Sequence, residues 1–392
     1  SCTYADDYYD CAGDCLSDED GDLVCDENEV AGCQDSSACN YDETATDEDS
    51  CSYAEDNFDC SGIFKPEAKS TLTTAVELWF TDNESALITY GDISNWDVSL
   101  ITDMNSLFRD KSTFNEDISN WDVSNVTDMG LMFYEATAFN QDLSSWDVSN
   151  VRFMFYLFGY TAFNQDLSSW DVSNVTNMDG MFRGATNFNG DISNWDVSNV
   201  TQIAIMFEDA TSFNRDISNW NVSSLTNLYQ TFRNANSFNV DISSWNVSNV
   251  QNMYGTFFNA SSFNQDISNW DISSATNMVG MFDSASALSS DIQCAINTSF
   301  SSSDYWPYDW SGNCDDDNDG IINSDEIEGC QDSSACNYNS SATDSGSCVF
   351  ADGVCESCSG ATDGTGTVVD NDSDDDGVCD ADEVAGCQDS SA

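Results

Sequence analysis

One tryptophan recurs at an almost constant interval through the middle of the chain. The recurring residues are Trp96, Trp121, Trp146, Trp170, Trp195, Trp220, Trp245 and Trp270. Six of the seven intervals between them span 25 residues and one spans 24, because a residue is missing between Phe158 and Phe163. A period this constant predicts one coil of chain per repeat, with neighbouring coils stacked on each other.

Each repeat contains two apolar patterns. The stretch I-S-x-W-D-V alternates apolar and polar residues, which predicts a short strand, and V-T-x-M-x-x-M-F-x-x-A has the spacing of a short helix. One coil cannot bury its apolar side alone, but stacked coils place Ile on Ile, Trp on Trp and Phe on Phe. The predicted fold class is an α/β repeat solenoid of about eight coils, with parallel strands and short helices.

The stretch from Phe114 to Met129, FNEDISNWDVSNVTDM, resembles the repeat of the BspA-like leucine-rich-repeat surface proteins. The resemblance covers roughly residues 64–292 and includes TLTTAVELWFTDNESALITYG. We interpret that segment as an amphipathic capping helix that starts after Ser70 and closes the open end of the core. The resemblance implies a leucine-rich-repeat-like fold on a microbial surface, where adhesion is often proposed.

Two ladders of recurring repeat positions allow different interpretations. The aspartates could form a metal or ligand stripe, but Asp and Asn beside strands commonly bind their own backbone in turns, and we favour turns. We expect Asn115, Asn140 and Asn164 to pair side chain to side chain along the stack. The tryptophans could form a sugar platform, but we favour a core role. The aspartates are Asp117, Asp142, Asp166, Asp191, Asp216, Asp241 and Asp266.

The stretch from Asp315 to Glu326 fits the twelve-residue calcium loop of EF-hands and dockerins. Calcium needs six to eight oxygen ligands, and a tight turn at Gly320 would bring the acidic side chains together. The predicted ligands are Asp315, Asp317, Asp319, the carbonyl of Ile321, Asn323 and Glu326. The sequence therefore predicts Ca²⁺ as a cofactor.

The same loop recurs twice, each time before a GCQDSSA segment. The second loop offers Asp372, Asp374, Asp376, the carbonyl of Val378, Asp380 and Glu383, and the third offers Asp18, Asp20, Asp22, Asp26 and Glu29. The third carries Leu23 where glycine belongs, so we expect a weaker or distorted site. The alternative for each loop is a solvated acidic run. These segments also resemble thrombospondin type 3 repeats, which implies that calcium stiffens an acidic, disulfide-linked chain.

The charge of the chain is strongly negative and uneven. Eight Lys and Arg against 71 Asp and Glu give a net charge of −63, and residues 1–60 and 304–392 contain no Lys or Arg. Bound divalent cations would relieve the self-repulsion of these flanks, whereas nucleic acid and anionic membranes are disfavoured as partners. No apolar stretch is long enough for direct membrane insertion.

Sixteen of the 17 cysteines lie in these flanks, which predicts disulfides in an oxidising compartment and an extracellular or cell-surface location. The simplest pairing is local, although other pairings remain open. It joins Cys2 with Cys11, Cys15 with Cys25, Cys33 with Cys39, Cys51 with Cys60, Cys294 with Cys314, Cys330 with Cys336, Cys348 with Cys355, and Cys358 with Cys379. Cys387 is left alone.

The two ends of the chain resemble two halves of one module. SCTYADDYYDC at Ser1 matches SCSYAEDNFDC at Ser50, and the final GCQDSSA matches the beginning of a module. We expect the chain to be one unit of a longer tandem array, in which Cys387 finds its partner. Separate subunits joined end to end through complementary half-modules are an alternative.

The chain contains no histidine and no Gly-rich phosphate loop, so we expect no enzyme. A structural filament or stalk is the favoured function, and an adhesin for surface glycans or proteins is the alternative, with an irregular coil at Phe153, Phe155 and Tyr156 as its candidate face. Candidates for glycosylation are Asn83, Asn297 and Asn339. The predicted domains are a calcium module at 1–62, a cap at 63–91, the solenoid at 92–300 and further calcium modules at 301–392.

Overall fold

A computed structural model describes residues 17, 24–26, 28–315, 320–373 and 378–383. The chain forms two compact units. The first contains Ser1–Gln265 with Asn269–Ala287, and the second contains Asp266–Ser268 with Leu288–Ala392. No helix among the described residues is long and apolar enough to cross a membrane.

The first unit begins with a small disulfide-bonded module. Strand β1 (Ala31–Gly32) pairs in parallel with β2 (Asp47–Glu48). Two disulfides, Cys33–Cys51 and Cys39–Cys60, hold the module together, with Cα–Cα distances of 5.0 and 5.1 Å.

Two helices follow this module and cover the first coil. Helix α1 (Lys69–Thr81) buries Leu72, Ala75 and Val76, and α2 (Asn83–Tyr90) is capped by Asp82, whose side chain accepts the Ser85 N–H. From α1, the Trp79 ring meets Trp96 at 6.0 Å and the Phe80 ring meets Phe114 at 5.9 Å. The predicted capping segment is therefore helical, although it is broken into two helices at Asp82. A 3₁₀ turn (Ile93–Asn95) leads into the coils.

The strand and helix predicted within each coil are wrong. All residues from Trp96 to Ala287 are described, and none of them lies in a helix or in a strand of two or more residues. Six of the seven neighbouring pairs of coils are joined instead by an isolated parallel bridge at the seventh residue after the tryptophan, such as Asp128 to Phe153. The chain between these bridges consists of consecutive turns.

Backbone hydrogen bonds in these turns alternate between two directions. In the coil after Trp121, every second N–H donates to a carbonyl of the next coil at 2.8–3.0 Å, and these donors are Met129, Leu131, Phe133 and Glu135. Of the N–H groups between them, those of Met132 and Tyr134 donate to the carbonyl three residues back at 3.2 and 3.1 Å, and that of Gly130 donates to Asp128 Oδ1 at 2.8 Å. Every N–H of this stretch thus has a partner without a helix, which would direct all of them along one coil.

Two residues per coil, four positions apart, have a positive φ. They are Ser106 and Asp110, Leu131 and Glu135, Tyr156 and Tyr160, Gly180 and Gly184, Ile205 and Asp209, Gln230 and Asn234, Gly255 and Asn259, and Gly280 and Ser284. A left-handed residue ends a right-handed helical turn. This recurrence explains why the helical spacing of Met and Phe does not produce a helix.

The stacking of like residues is confirmed. The phenylalanine twelve residues after each tryptophan stacks on its counterpart in the next coil, as in Phe133 on Phe158 with ring centroids 5.7 Å apart. Each of the eight tryptophans is at most 4 % exposed. From Trp121 onward, each indole N–H donates to the carbonyl of an Ile or Leu one coil back, at 2.9–3.2 Å. The core role of the tryptophans is confirmed, and a sugar platform is wrong.

The second unit combines one helix with a second disulfide-bonded module. Helix α3 (Ser290–Phe300) precedes a 3₁₀ turn (Ser311–Asn313) and two strand pairs. Strand β3 (Glu328–Gly329) is parallel to β4 (Asp344–Ser345), and β5 (Glu356–Cys358) is antiparallel to β6 (Val368–Asp370).

The disulfides of the second unit join Cys294 with Cys314, Cys330 with Cys348, Cys336 with Cys358, and Cys355 with Cys379. The pairing of Cys294 with Cys314 is as predicted. Cys25 is also disulfide-bonded, but its predicted partner Cys15 and the predicted pair of Cys2 and Cys11 lie outside the described residues.

The other local pairings are wrong: Cys33 with Cys39, Cys51 with Cys60, Cys330 with Cys336, Cys348 with Cys355, and Cys358 with Cys379. The parallel pairing of β1 with β2 places Gly32 beside Glu48 and so brings Cys33 to Cys51. A turn at Asp35, whose carboxylate accepts the Ser37 N–H, separates Cys33 from Cys39. The same arrangement recurs around β3 and β4, so the two modules share one fold.

Candidate metal centre

The three predicted calcium loops are described in part. Asp18, Asp20, Asp22, Asp317, Asp319, Asp374 and Asp376 lie outside the described residues. Ligands of each loop that are described flank these gaps, and they include Asp315, Asp372 and Asp26. Within the described part of the chain, no three acidic, Cys or His side chains come together as a metal site.

All three loops close in the same way. The N–H of the ninth loop residue donates to the carbonyl of the residue before the loop. This bond joins Asn323 to Cys314 at 2.6 Å, Asp380 to Asn371 at 2.7 Å, and Asp26 to Ser17 at 3.0 Å. A second backbone hydrogen bond also recurs in each loop, in which the N–H of the eleventh loop residue donates to the carbonyl of the eighth at 2.6–2.8 Å. The third loop therefore has the same end-to-end closure as the other two, despite Leu23.

Asp315 is the described carboxylate that fits a cation best. Its Oδ2 accepts the N–H of Gly320 at 3.0 Å, and Gly320 has a φ of 92°, as the predicted tight turn requires. Its Oδ1 is buried and has no hydrogen-bond partner among the described residues. A buried carboxylate oxygen without a partner is costly, and a hard cation would satisfy it. Asp315 therefore offers one oxygen of the kind that Ca²⁺ prefers.

Hydrogen bonds to serine orient the ninth-position aspartates. Asp380 accepts the N–H of Ser373 at 2.9 Å and its hydroxyl at 2.7 Å, and these bonds lower the pKa of Asp380. In the third loop the Ser17 hydroxyl likewise donates to Asp26. The sequence pattern predicts both aspartates as ligands but gave no sign of these serine contacts.

A disulfide anchors each loop beside a predicted ligand. Cys314 directly precedes Asp315 and is bonded to Cys294 in α3. Cys379 directly precedes Asp380 and is bonded to Cys355. Cys25, beside Asp26, is disulfide-bonded as well. These anchors fix one point of every loop and lower the entropy that must be lost when its carboxylates converge.

The aspartate ladder of the coils forms turns, as favoured from the sequence. In each coil, Asp Oδ1 accepts the N–H of the serine two residues later at 2.8–3.0 Å, from Asp117 to Asp266. The predicted side-chain pairing of Asn115, Asn140 and Asn164 is wrong. The Oδ1 of each accepts the backbone N–H of the next asparagine instead, at 2.7–2.8 Å, because these side chains lie along the backbone ladder.

The predicted glycosylation candidates differ in accessibility. Asn83 is exposed at the start of α2, and Asn339 is half-buried. Asn297 is 7 % exposed, and its Oδ1 accepts the Trp306 indole N–H at 3.0 Å and the Trp310 N–H at 3.3 Å. Asn297 is therefore wrong as a candidate, because its amide is enclosed by an aromatic cluster.

A buried charge cluster was missed from the sequence. Glu208 is 3 % exposed and forms ion pairs with Arg183 at 2.7 Å and Arg233 at 2.8 Å. Two guanidinium groups offset the cost of burying one carboxylate. The three residues occupy the same place, thirteen after the tryptophan, in three consecutive coils. Alignment of the repeats at that position is the signal that could have revealed the cluster.

A family model described as "Mycoplasma protein of unknown function, DUF285" matches three overlapping segments, 74–169, 154–239 and 216–304. Together these segments cover more than half of the chain. The chain belongs to the DUF285 family. The matched DUF285 segments contain the coils, whereas the three acidic loops lie outside them. No curated protein and no solved structure matches the chain.

Proposed function

We propose that this DUF285 protein is a non-enzymatic structural protein, a calcium-rigidified unit of an extracellular filament, stalk or tandem-repeat fibre. In this proposal the stacked coils form a solenoid, and the acidic modules are stiffened by Ca²⁺. The observation that carries it is the loop closure shared by three disulfide-anchored acidic loops, one of which contains the Asp315 oxygen that lacks a hydrogen-bond partner among the described residues.

The composition of the molecule supports an extracellular structural role. Six disulfides among the described residues are typical of an oxidising, extracellular compartment, and display on a cell surface is part of the proposal. The coils bury an unbroken stack of aromatic rings, which suits a stiff element rather than a hinged one. The absence of histidine from the sequence supports the non-enzymatic assignment.

Two modules with one fold support partners of the same kind. The strand pairing and disulfides around Cys33 and Cys330 match, so the chain carries the same module on both sides of its coils in sequence. We propose that copies of this chain associate end to end, as a covalent tandem or an assembled filament. Neither nucleic acid nor the membrane interior is a partner in this proposal.

Calcium binding tests the site. The purified oxidised protein should bind Ca²⁺ in isothermal titration calorimetry, and Asp315→Asn with Asp372→Asn should remove two sites, because each aspartate begins a loop. Asp304→Asn is the matched control, since it removes the charge of an exposed aspartate outside the loops. Equal binding stoichiometry in the double variant and the wild type would show that these loops are solvated acidic runs.

Electron microscopy tests the structural role. Extended assemblies that soften or break when a chelator removes Ca²⁺, and recover when it is returned, are the expected result. Chelation that leaves the assemblies unchanged contradicts calcium stiffening, and the absence of any assembly contradicts the filament.

A ligand-binding surface protein is the second candidate function. Its specific support is the coil after Trp146, where Phe153 is 41 % exposed although the same position in other coils is polar. Retention of the protein on an array of immobilised glycans and surface proteins is the expected result of this function, and no retention contradicts it.

A further inference from the structure

Two exposed tyrosines of neighbouring coils lie side by side. Tyr229 and Tyr254 are each the ninth residue after a tryptophan, and each is 37 % exposed. Their rings stack with centroids 5.5 Å apart and with planes inclined by 15°. The residues at this position in the other coils are Asn105, Gly130, Phe155, Asp179, Ala204 and Val279. The chain therefore brings two phenol groups together at one place on the surface of the coils.

Backbone hydrogen bonds on both sides of Tyr229 fix the spacing of this pair. The N–H of Leu228 donates to the carbonyl of Asn252 at 2.8 Å. The N–H of Gln230 donates to the carbonyl of Tyr254 at 2.9 Å. Because the two backbones are bonded to each other on either side of the first ring, the rings remain neighbours when their side chains rotate.

Neighbouring phenols can be joined by oxidation. Loss of a hydrogen atom from each O–H gives two phenoxyl radicals, whose unpaired electrons then form a carbon–carbon bond between the two ring carbons beside the hydroxyl groups. Each of these carbons passes its proton to its own phenol oxygen, so both hydroxyls are restored. Holding both rings in place makes the coupling an intramolecular step, which is much faster than an encounter between two molecules.

The other close tyrosines of the coils are arranged differently. Tyr134 meets Tyr156 and Tyr160 edge to face, with ring planes inclined by 82° and 88°. Burial raises the pKa of Tyr134 and of Tyr160. The guanidinium groups of Arg109 and Arg183 lie over these two rings at 5.5 and 5.6 Å. A cation over a ring disfavours the removal of an electron from it, so this cluster should react less than the stacked pair.

Other oxidisable side chains close to the pair are shielded. Trp220 and Trp245 are at most 4 % exposed, and the side chain of Met253 is fully buried. The sequence has no cysteine between Cys60 and Cys294. A small oxidant in solution therefore reaches the two phenols before it reaches a thioether, an indole or a thiol of these coils.

We propose that Tyr229 and Tyr254 are a site of oxidative cross-linking, where a peroxide joins the two rings as dityrosine. Two phenol side chains and one molecule of hydrogen peroxide give the linked pair and two molecules of water, so the hydrogen atoms lost by the rings reduce the peroxide. The bond ties two coils covalently in a part of the chain that has no cysteine for a disulfide. This proposal rests on the extracellular structural function above, because a covalent link between coils stiffens their stack.

Trypsin can detect the link in the complete protein. Arg233 is the last basic residue of the chain and lies between the two tyrosines, so cleavage after it separates residues 216–233 from residues 234–392. Cleavage after Arg152 likewise separates Tyr134 from the other two tyrosines of its cluster. The dilute protein is treated with hydrogen peroxide and a haem peroxidase, then reduced, digested and analysed by mass spectrometry.

The treated wild type should yield residues 216–233 joined to residues 234–392, with the loss of two hydrogen atoms and with dityrosine fluorescence. Tyr229→Phe and Tyr254→Phe each keep a ring in the stack but remove one phenol, so both should lose this product. Tyr134→Phe is the matched control and should retain it. Absence of the product from the wild type, its persistence in either of the first two variants, or linkage of Tyr134 to its neighbours in equal amount overturns the proposal.

Thermal unfolding tests the effect of the link on the coils. A covalent bond between two coils restricts the unfolded chain, so the treated wild type should melt at least about 2 °C above the treated Tyr229→Phe variant. Before treatment the two proteins should melt alike. Equal melting after treatment overturns the stiffening role of the link. The filament function is judged separately by chelation of Ca²⁺, which does not involve these tyrosines.

Discussion

The conformation of single residues decides how each coil closes. Two residues per coil have φ between 51° and 67°, and most of them are not glycine. A left-handed conformation costs a non-glycine residue about 1–2 kcal/mol, and the β-branched Ile205 is an extreme case. The inter-coil hydrogen bonds that these residues permit, such as Ile205 N–H to Tyr229 O at 2.8 Å, offset this cost.

Gly184→Ala should be strongly destabilising, because two penalties coincide at one residue. The φ of 67° disfavours a side chain, and its Cβ would lie 2.3 Å from the Tyr160 ring. We expect a loss of about 2–4 kcal/mol in the free energy of unfolding, measured by urea denaturation. The control, Gly62→Ala, has a φ of 76° with no atom within 4 Å, so only the conformational cost applies. Equal losses would mean that the Tyr160 ring is free to move away.

Asp196→Asn should change the pH dependence of stability. Hydrogen bonds from the Ser198 hydroxyl and N–H lower the pKa of Asp196 below its usual range in the folded state. A lowered folded pKa means that the aspartate stabilises the fold above its unfolded pKa and loses this contribution as the pH falls through the folded pKa. Asparagine can form the same turn, as Asn221 does with Ser223, but does not titrate.

The melting temperature of the Asp196→Asn variant should lie slightly below that of the wild type at pH 7, by at most about 2 °C, because the site is exposed. Below pH 4 the difference should shrink. Asp304→Asn controls for the removal of one negative charge from a chain of net charge −63. A constant difference from pH 7 to pH 3 would show that the turn does not depend on ionisation.

At the scale of elements, the period of the sequence predicted the stack but not the path of the chain within a coil. Trp, Phe and Ile recur at one place per coil, so their burial follows from periodicity alone. The predicted helix failed because Met129, Met132 and Phe133 have helical spacing, but Leu131 between them is left-handed. The spacing of apolar residues indicates which side chains are buried, but it does not indicate the sign of φ at the residues between them.

Part of the candidate metal site was predictable from the sequence, but the disulfides around it were predictable only in part. The loop pattern identified Asp315 and the turn at Gly320, and both agree with the hydrogen bond between them. Unlike the pair of Cys294 and Cys314, the disulfide partners within the modules could not be predicted, because Cys33 and Cys51 meet only through the parallel pairing of two-residue strands. Such short strands have no period-2 pattern from which to recognise them.

Double substitutions of cysteine test the connectivity of the first module. Cys33→Ser with Cys51→Ser removes one disulfide, which closes a loop of 18 residues, and should cost about 3 kcal/mol of unfolding free energy. Cys33→Ser with Cys39→Ser removes two disulfides and leaves Cys51 and Cys60 as free thiols. It should cost clearly more, and a thiol assay should detect the two free groups. The reverse order of stability would support the local pairing that the structure excludes.

At the scale of the whole molecule, charge and covalent links are distributed differently from the core. The coils carry the aromatic stack and six of the eight basic residues, whereas residues 304–392 carry four of the described disulfides, counting the one to Cys294, and no basic residue. The free energy of folding therefore has two sources. Burial of apolar side chains dominates in the coils, and disulfides contribute most in the acidic modules, where our proposal adds neutralisation of carboxylates by Ca²⁺.

Calorimetry should separate these sources, because Ca²⁺ binds only where carboxylates converge. Monovalent salt screens the repulsion of the entire acidic chain, so NaCl should raise the stability of the modules gradually. CaCl₂ at matched ionic strength should add a further gain, about 2.7 kcal/mol per site when free Ca²⁺ is 100 times the dissociation constant. CaCl₂ should not shift the thermal unfolding transition of the coils, since their aspartates already accept hydrogen bonds from serine N–H groups. Asp315→Asn with Asp372→Asn should lose the part of the calcium gain that comes from these two loops but keep the salt gain. If NaCl and CaCl₂ at equal ionic strength act alike, general screening accounts for the effect and the acidic loops are not calcium sites.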